Sequence, residues 1–160
     1  MNISKRLAFS ASTLLMLAAC ATSPAPKTIA DTAAATPQLS TLNKLIGDAG
    51  LTETLRGPGP FTVFAPTDDA FKAVPAKTLE ALGKDPALLK SVLTYHVLAG
   101  KVVASDVKNG PAKTVQGANV VLARAGTFVT IDEAVVTTAD VPVSNGVVHV
   151  IDRVLLPPMK

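Results

Sequence analysis

NGVVHVIDRVLLPP, residues 145–158, sets a histidine inside a run of valine and isoleucine. Side chains alternate across a strand, so Val147, His149 and Ile151 share one face and Val148, Val150 and Asp152 the other. Apolar residues on both faces predict a central strand covered on each side, bounded by Asn-Gly and Pro-Pro. His149 is then an interior group. An interior polar atom left without a partner costs about 1–3 kcal/mol, so its ring needs hydrogen bonds.

The only other histidine stands in LLKSVLTYHVLAG, residues 88–100. Asp85-Pro86 opens a predicted helix through Leu98, with proline at a first-turn position where its missing amide is harmless. Leu89, Val92, Leu93 and His96 fall on one stripe of that helix, which points His96 at the core. Tyr95 lies at the flank of the stripe and is expected to be half-buried. Thr67, Asp68, Asp69 and nearby backbone groups are the candidate partners of the two rings, and spacing does not choose among them.

Working outward, the first half reads as helices around one strand. QLSTLNKLIGDAG (38–50) has leucines at helical spacing, LTETLRG (51–57) is a short turn, and GPGP (57–60) is a rigid break before the strand FTVFA (61–65). In PTDDAFKAV (66–74), Thr67 or Asp68 caps a helix, and Asp68 and Asp69 suit its positive end. PAKTLEALG (75–83) is another helix. After Gly100 the chain turns to β-branched segments, KVVASDV (101–107) among them, all bounded by Gly, Asn or Pro. Helices followed by antiparallel strands predict an α+β domain.

FTVFAPTDDAF (61–71) and NGVVHVIDRVLLPP (145–158) resemble the two signatures of the fasciclin, or FAS1, domain, and LLKSVLTYHVLAGKV (88–102) resembles its Tyr-His segment. Three blocks in order cover residues 38–158. The resemblance implies a wedge of two β-sheets with helices of the N-terminal half packed against it, and a protein that adheres rather than catalyses. It further implies Tyr95 and His96 as partner contacts, alongside their reading as core. It adds Asp140 and Val141, which stand where some members carry a recognition dipeptide; the plain reading of that dipeptide is a connection between strands. Asp68 departs from the family, which often has Asn there. No Arg-Gly-Asp occurs.

The ends bound the compartment. A basic leader, an apolar stretch and Leu17-Ala18-Ala19-Cys20 read as an export signal over residues 1–19. The last four residues resemble a bacterial lipobox, which makes Cys20, the one cysteine, the expected lipidation site. An ordinary export signal with an incidental cysteine is the alternative. Residues 20–37, rich in Ala, Thr and Pro, read as a flexible linker reaching roughly 20–25 Å, and residues 38–160 as one domain. The expected location is the bacterial envelope, at the outer membrane or surface, with the membrane engaged through the lipid.

Without the leader, basic residues fall from 15 to 13 against 12 acids, and no Lys/Arg cluster remains to bind nucleic acid. Two histidines on distant elements offer no metal-ligand spacing, and no nucleophile elbow, P-loop or dinucleotide fingerprint occurs. No cofactor, metal or catalytic residue is expected. The sequence therefore predicts an interaction module with a protein or matrix partner. The alternative is an envelope protein that holds a small molecule in a pocket between helices and sheets.

Overall fold

The computed structural model describes residues 27–158. Helices α1 (Ile29–Ala35), α2 (Ser40–Asp48) and α3 (Thr52–Arg56) precede strand β1 (Phe61–Pro66). Helices α4 (Asp68–Lys72), α5 (Ala76–Lys84) and α6 (Pro86–Tyr95) follow, then β2 (Val97–Ala99). The rest is β3 (Gly110–Lys113), β4 (Asn119–Ala125), β5 (Phe128–Ile131), β6 (Ala134–Val143) and β7 (Gly146–Ile151). The fold is α+β, as the order of helical and β-branched segments predicts.

The strands run in the order β2-β1-β7-β6-β5-β4-β3. Register shifts along β6 fold the sheet into two halves, one built on β1 and β7 and the other on β4 and β5. The free edges come back together where Leu98 bridges Thr114 and the Val115 amide donates to the Val97 carbonyl at 2.8 Å. The result is a nearly closed barrel with wedge-shaped halves.

Both faces of β1 and β7 are buried, as the valine pattern demands. Val63, Ala65, Val148 and Val150 face the core under the helices. Phe64 and Ile151 face a second core between the sheet halves, with Val120, Val129 and Ile131 opposite. The two strands that carry the sequence signatures are thus the wall between two hydrophobic cores.

Three expectations are corrected. The linker predicted over 20–37 gives way to α1 at Ile29, past its first half. Ile29, Ala30 and Ala33 are buried on α1, and burial of Ile29 alone contributes about 2 kcal/mol. Thr28 and Asp31 form a reciprocal capping box, the Asp31 amide donating to Thr28 Oγ1 at 3.3 Å and the Thr28 amide to Asp31 Oδ2 at 3.2 Å. Second, the helix predicted through Leu98 stops at Tyr95, because Val97–Ala99 pairs with Phe61–Val63 as an edge strand. Third, 101–107 is a loop with one short 3-10 turn at Ala104–Asp106, not a strand. The strands after Gly100 pair antiparallel throughout, as expected, and β1 adds a parallel pairing to β7, in register from Phe61↔Gly146 to Pro66↔Ile151.

Candidate functional site

Helix α6 ends at His96, and three chain segments meet there. The His96 amide closes the helix on Val92 and Leu93, while its carbonyl accepts from the Phe64 amide of β1 at 2.9 Å. The ring is 2% exposed. The Leu155 amide donates to Nε2 at 2.9 Å, and a backbone amide only donates, so Nε2 carries no hydrogen. Nδ1 therefore holds the proton and gives it to the Val92 carbonyl at 2.8 Å. Burial holds the ring neutral, with its pKa pushed down to about 4.

His149, 1% exposed on β7, has the opposite tautomer. The Asp140 amide donates to Nδ1 at 3.2 Å, leaving Nε2 to donate to the Val102 carbonyl at 2.8 Å. The ring stacks on Phe64, centroids 5.4 Å apart. Two imidazoles thus use all four nitrogens on backbone groups. None of the candidate partners Thr67, Asp68 and Asp69 reaches either ring.

Two of those residues, Thr67 and Asp68, organise helix starts instead. Thr67 Oγ1 accepts from the Ala70 amide at 3.2 Å and caps α4. Asp68 serves a different helix: its carboxylate accepts from Ser40 Oγ at 2.7 Å and from the Thr41 amide at 2.9 Å, at the start of α2. These bonds hold its pKa below the usual carboxylate value. Asp69 pairs with Lys72 Nζ at 2.8 Å on the surface, where water and salt screen the contact.

Tyr95 is 4% exposed and lies in the core between the sheet halves, more deeply than the expected flank position. Its hydroxyl donates to Asp132 Oδ2 at 3.0 Å, and Asp132 Oδ1 accepts from the Val121 amide at 2.7 Å. Burial, then the bond to Asp132 and its charge, push the phenol up to about 12. Burial removes the rings of Tyr95 and His96 from the set of available surface anchors, which corrects that expectation. Tyr95→Phe is expected to cost about 1 kcal/mol in urea unfolding, because Asp132 keeps its bond to Val121. A cost above about 3 kcal/mol is incompatible with this limited role.

Asp140 sits at the irregularity of β6 with φ +55°, a left-handed conformation that aspartate tolerates better than most residues. Its side chain is exposed, and Oδ1 accepts from the Ala104 amide at 2.7 Å, fastening the 101–107 loop. Val141 is half-buried against the helical core. The dipeptide therefore joins β6, the loop and His149, while the Asp140 carboxylate stays open to solvent on one side.

Asn145 is the organising residue that sequence reasoning missed. Its Nδ2 donates to the Leu55 carbonyl at 2.6 Å and to Gly57 at 3.1 Å, and its Oδ1 accepts from Ile29 at 3.1 Å. Its carbonyl accepts from the Phe61 amide at 3.0 Å. One residue of the second signature thus joins α1 and α3 through its side chain and β1 through its carbonyl. Its place immediately before Gly146 was the available signal. Among the described residues, no group of three or more His, Cys, Asp or Glu is placed to hold a metal ion. Cys20 and the 1–19 leader lie outside the described residues.

The family model described as Fasciclin domain matches residues 37–157. Protein sll1483 of Synechocystis sp. is 46% identical over 136 residues, covering 82% of this chain and 74% of that protein. The cell surface glycolipoproteins MPB83 of Mycobacterium bovis and MPT83 of Mycobacterium tuberculosis are each 41% identical over 135 residues. Those matches cover 81% of this chain but 60% of the mycobacterial proteins. A FAS1 domain pair from the insect cell adhesion molecule fasciclin I superposes with a TM-score of 0.65 at 19% identity. That match covers 82% of this chain and 51% of the insect one, a likeness of fold.

Proposed function

We propose, from the premise that the chain belongs to the fasciclin domain family, that it is an envelope-anchored module which binds a protein or matrix partner through its surface. The observation that carries this reading is the state of the two histidines. Both rings are buried and fully bonded to backbone, so the groups best suited to chemistry are occupied in holding the frame. The outer surface is the part of the domain suited to contact a protein or matrix partner. The relation to cell-surface glycolipoproteins supports an envelope location, and Cys20, acylated as the lipobox pattern suggests, supplies the attachment. Many copies on one surface turn weak contacts into useful avidity.

Asp140 and Val141 are the contact candidates that this reading keeps. The exposed carboxylate offers one charge, and the β6 irregularity presents it away from the sheet. Crosslinking and pull-down from intact cells, comparing the native chain with Cys20→Ser and Asp140→Asn, tests the reading. Asparagine keeps the acceptor for Ala104 and removes the charge, so the fold stays while the contact weakens. The expected result is an envelope or extracellular partner whose recovery falls in both variants. Recovery of no such partner from native cells refutes the proposal, and undiminished recovery with Asp140→Asn removes that residue from the interface.

A further inference from the structure

An apolar cleft lies between the helical layer and the β1–β2 edge, away from Asp140. Leu42, Leu55, Leu93 and Val97 form its walls, with the His96 ring among its lining groups and Val115 at its rim. Its volume is about 30 Å³. Both nitrogens of His96 are engaged by backbone, and among the described residues no buried side-chain N or O lacks a partner. Nothing in the cleft calls for water, and unsolvated apolar space of this kind stays dry.

Val115 is the exception in this setting. It is 44% exposed, yet it stands over an apolar interior. The turn that carries it is pinned on both sides: the Val115 amide donates to Val97 at 2.8 Å, and Gln116 Nε2 donates to Ser91 Oγ at 3.0 Å. Thr54 and Thr94 border the same cleft. An incoming group therefore meets a rim with a valine and two threonines, then hydrocarbon.

The geometry points to a binding site for the free end of an unbranched alkyl chain. The cleft has about a fifth of the roughly 150 Å³ that accommodates benzene in an engineered cavity, which favours a chain terminus over a ring. With no unpaired polar group inside, the ligand has to be hydrocarbon within the walls and keep any headgroup in solvent. This site goes beyond the partner surface proposed above and does not depend on it.

Methyl-labelled full-length protein titrated with decanoate, and separately with a phosphatidylcholine carrying decanoyl chains, tests the site by NMR. The expected result is saturable shifts of the Leu55, Leu93 and Val97 methyls, with an apparent Kd on the order of 10 mM, as suits the burial of two or three carbons at about 0.8 kcal/mol each. Val115→Asp puts a charge at the rim and is expected to weaken binding at least about fivefold without loss of fold. Val97→Ile, which adds a methyl to the wall, is expected to weaken it as well. Response to both probes assigns a free chain as sufficient; response to the phospholipid alone assigns a lipid source. Either supports the site. Shifts centred on the outer-sheet Val121 and Val135, shifts indifferent to both substitutions, or no saturable shift below about 50 mM overturn it.

Discussion

Gly146→Ala is expected to abolish the stable fold, with a loss of more than about 4 kcal/mol, while Gly47→Ala in the same protein gains about 0.5–1 kcal/mol. The contrast follows from where the two chains of the wall meet. Phe61 and Gly146 are the first register pair of the parallel β1–β7 ladder. A Cβ on Gly146 would overlap the Phe61 carbonyl oxygen, with the Phe61 carbonyl carbon at 2.8 Å and the amide nitrogen at 2.9 Å. All three are backbone atoms, so no side chain can swing away. Relief requires the two strands to part, and each closes both hydrophobic cores. Gly47 is exposed on α2 with nothing within 4 Å of the added methyl, and there alanine only restricts the unfolded chain. Urea unfolding followed by circular dichroism separates the outcomes. A Gly146→Ala chain within about 1 kcal/mol of the native one is incompatible with the close approach of these strands.

Acidification is expected to remove on the order of 3 kcal/mol between pH 6.5 and 4, through His96 alone. The folded ring resists protonation down to about 4, against 6.5 when unfolded. In this window the unfolded chain binds the extra proton, so stability is full above 6.5 and falls with pH. Protonation also ends the acceptor role of Nε2 and sets two N–H groups, from His96 and Leu155, against each other. The segment after β7, whose Leu155 is buried between the sheet halves, then loses its hold. Below 3.8, Asp31 and Asp68 add losses of the same sign, because their bonds hold the folded pKa values below that figure. NMR titration of the His96 ring carbons, with urea unfolding across the same range, measures both sides of the linkage. A ring that titrates near 6.5 in the folded protein excludes this account.

How far the sequence could be read depended on whether a signal was local. The two-faced burial of β7 was visible in its valines, and the inward aim of His96 in the leucine stripe of α6. Pattern within one element sufficed for both. The parallel pairing of Phe61–Pro66 with Gly146–Ile151 joins segments some eighty residues apart, and no local period records a partner at that distance. The Val97–Ala99 strand was hidden because Val97 and Leu98 continue an apolar helix pattern; its pairing with β1 overrode that preference. Helix α1 was missed because alanine and threonine look like linker, although Thr28 and Asp31 stand at capping-box spacing. Asp68 reads as a cap of its own helix and Asp140 as part of a connection between strands, whereas each reaches across to another element. A short acid beside a turn tells that it can accept hydrogen bonds; only the fold selects the donor.

The attachment of α1 has a mechanical consequence. The Lys27 carbonyl accepts from the Ser144 amide at 2.9 Å, and Ile29 is held by Asn145, so the N-terminal end of the domain is stitched to the hairpin between β6 and β7. Tension arriving through residue 27 loads these two bonds and a seven-residue helix before any strand of the barrel. Under such a load the helix is the element placed to yield first, which leaves the strand order of the sheet untouched.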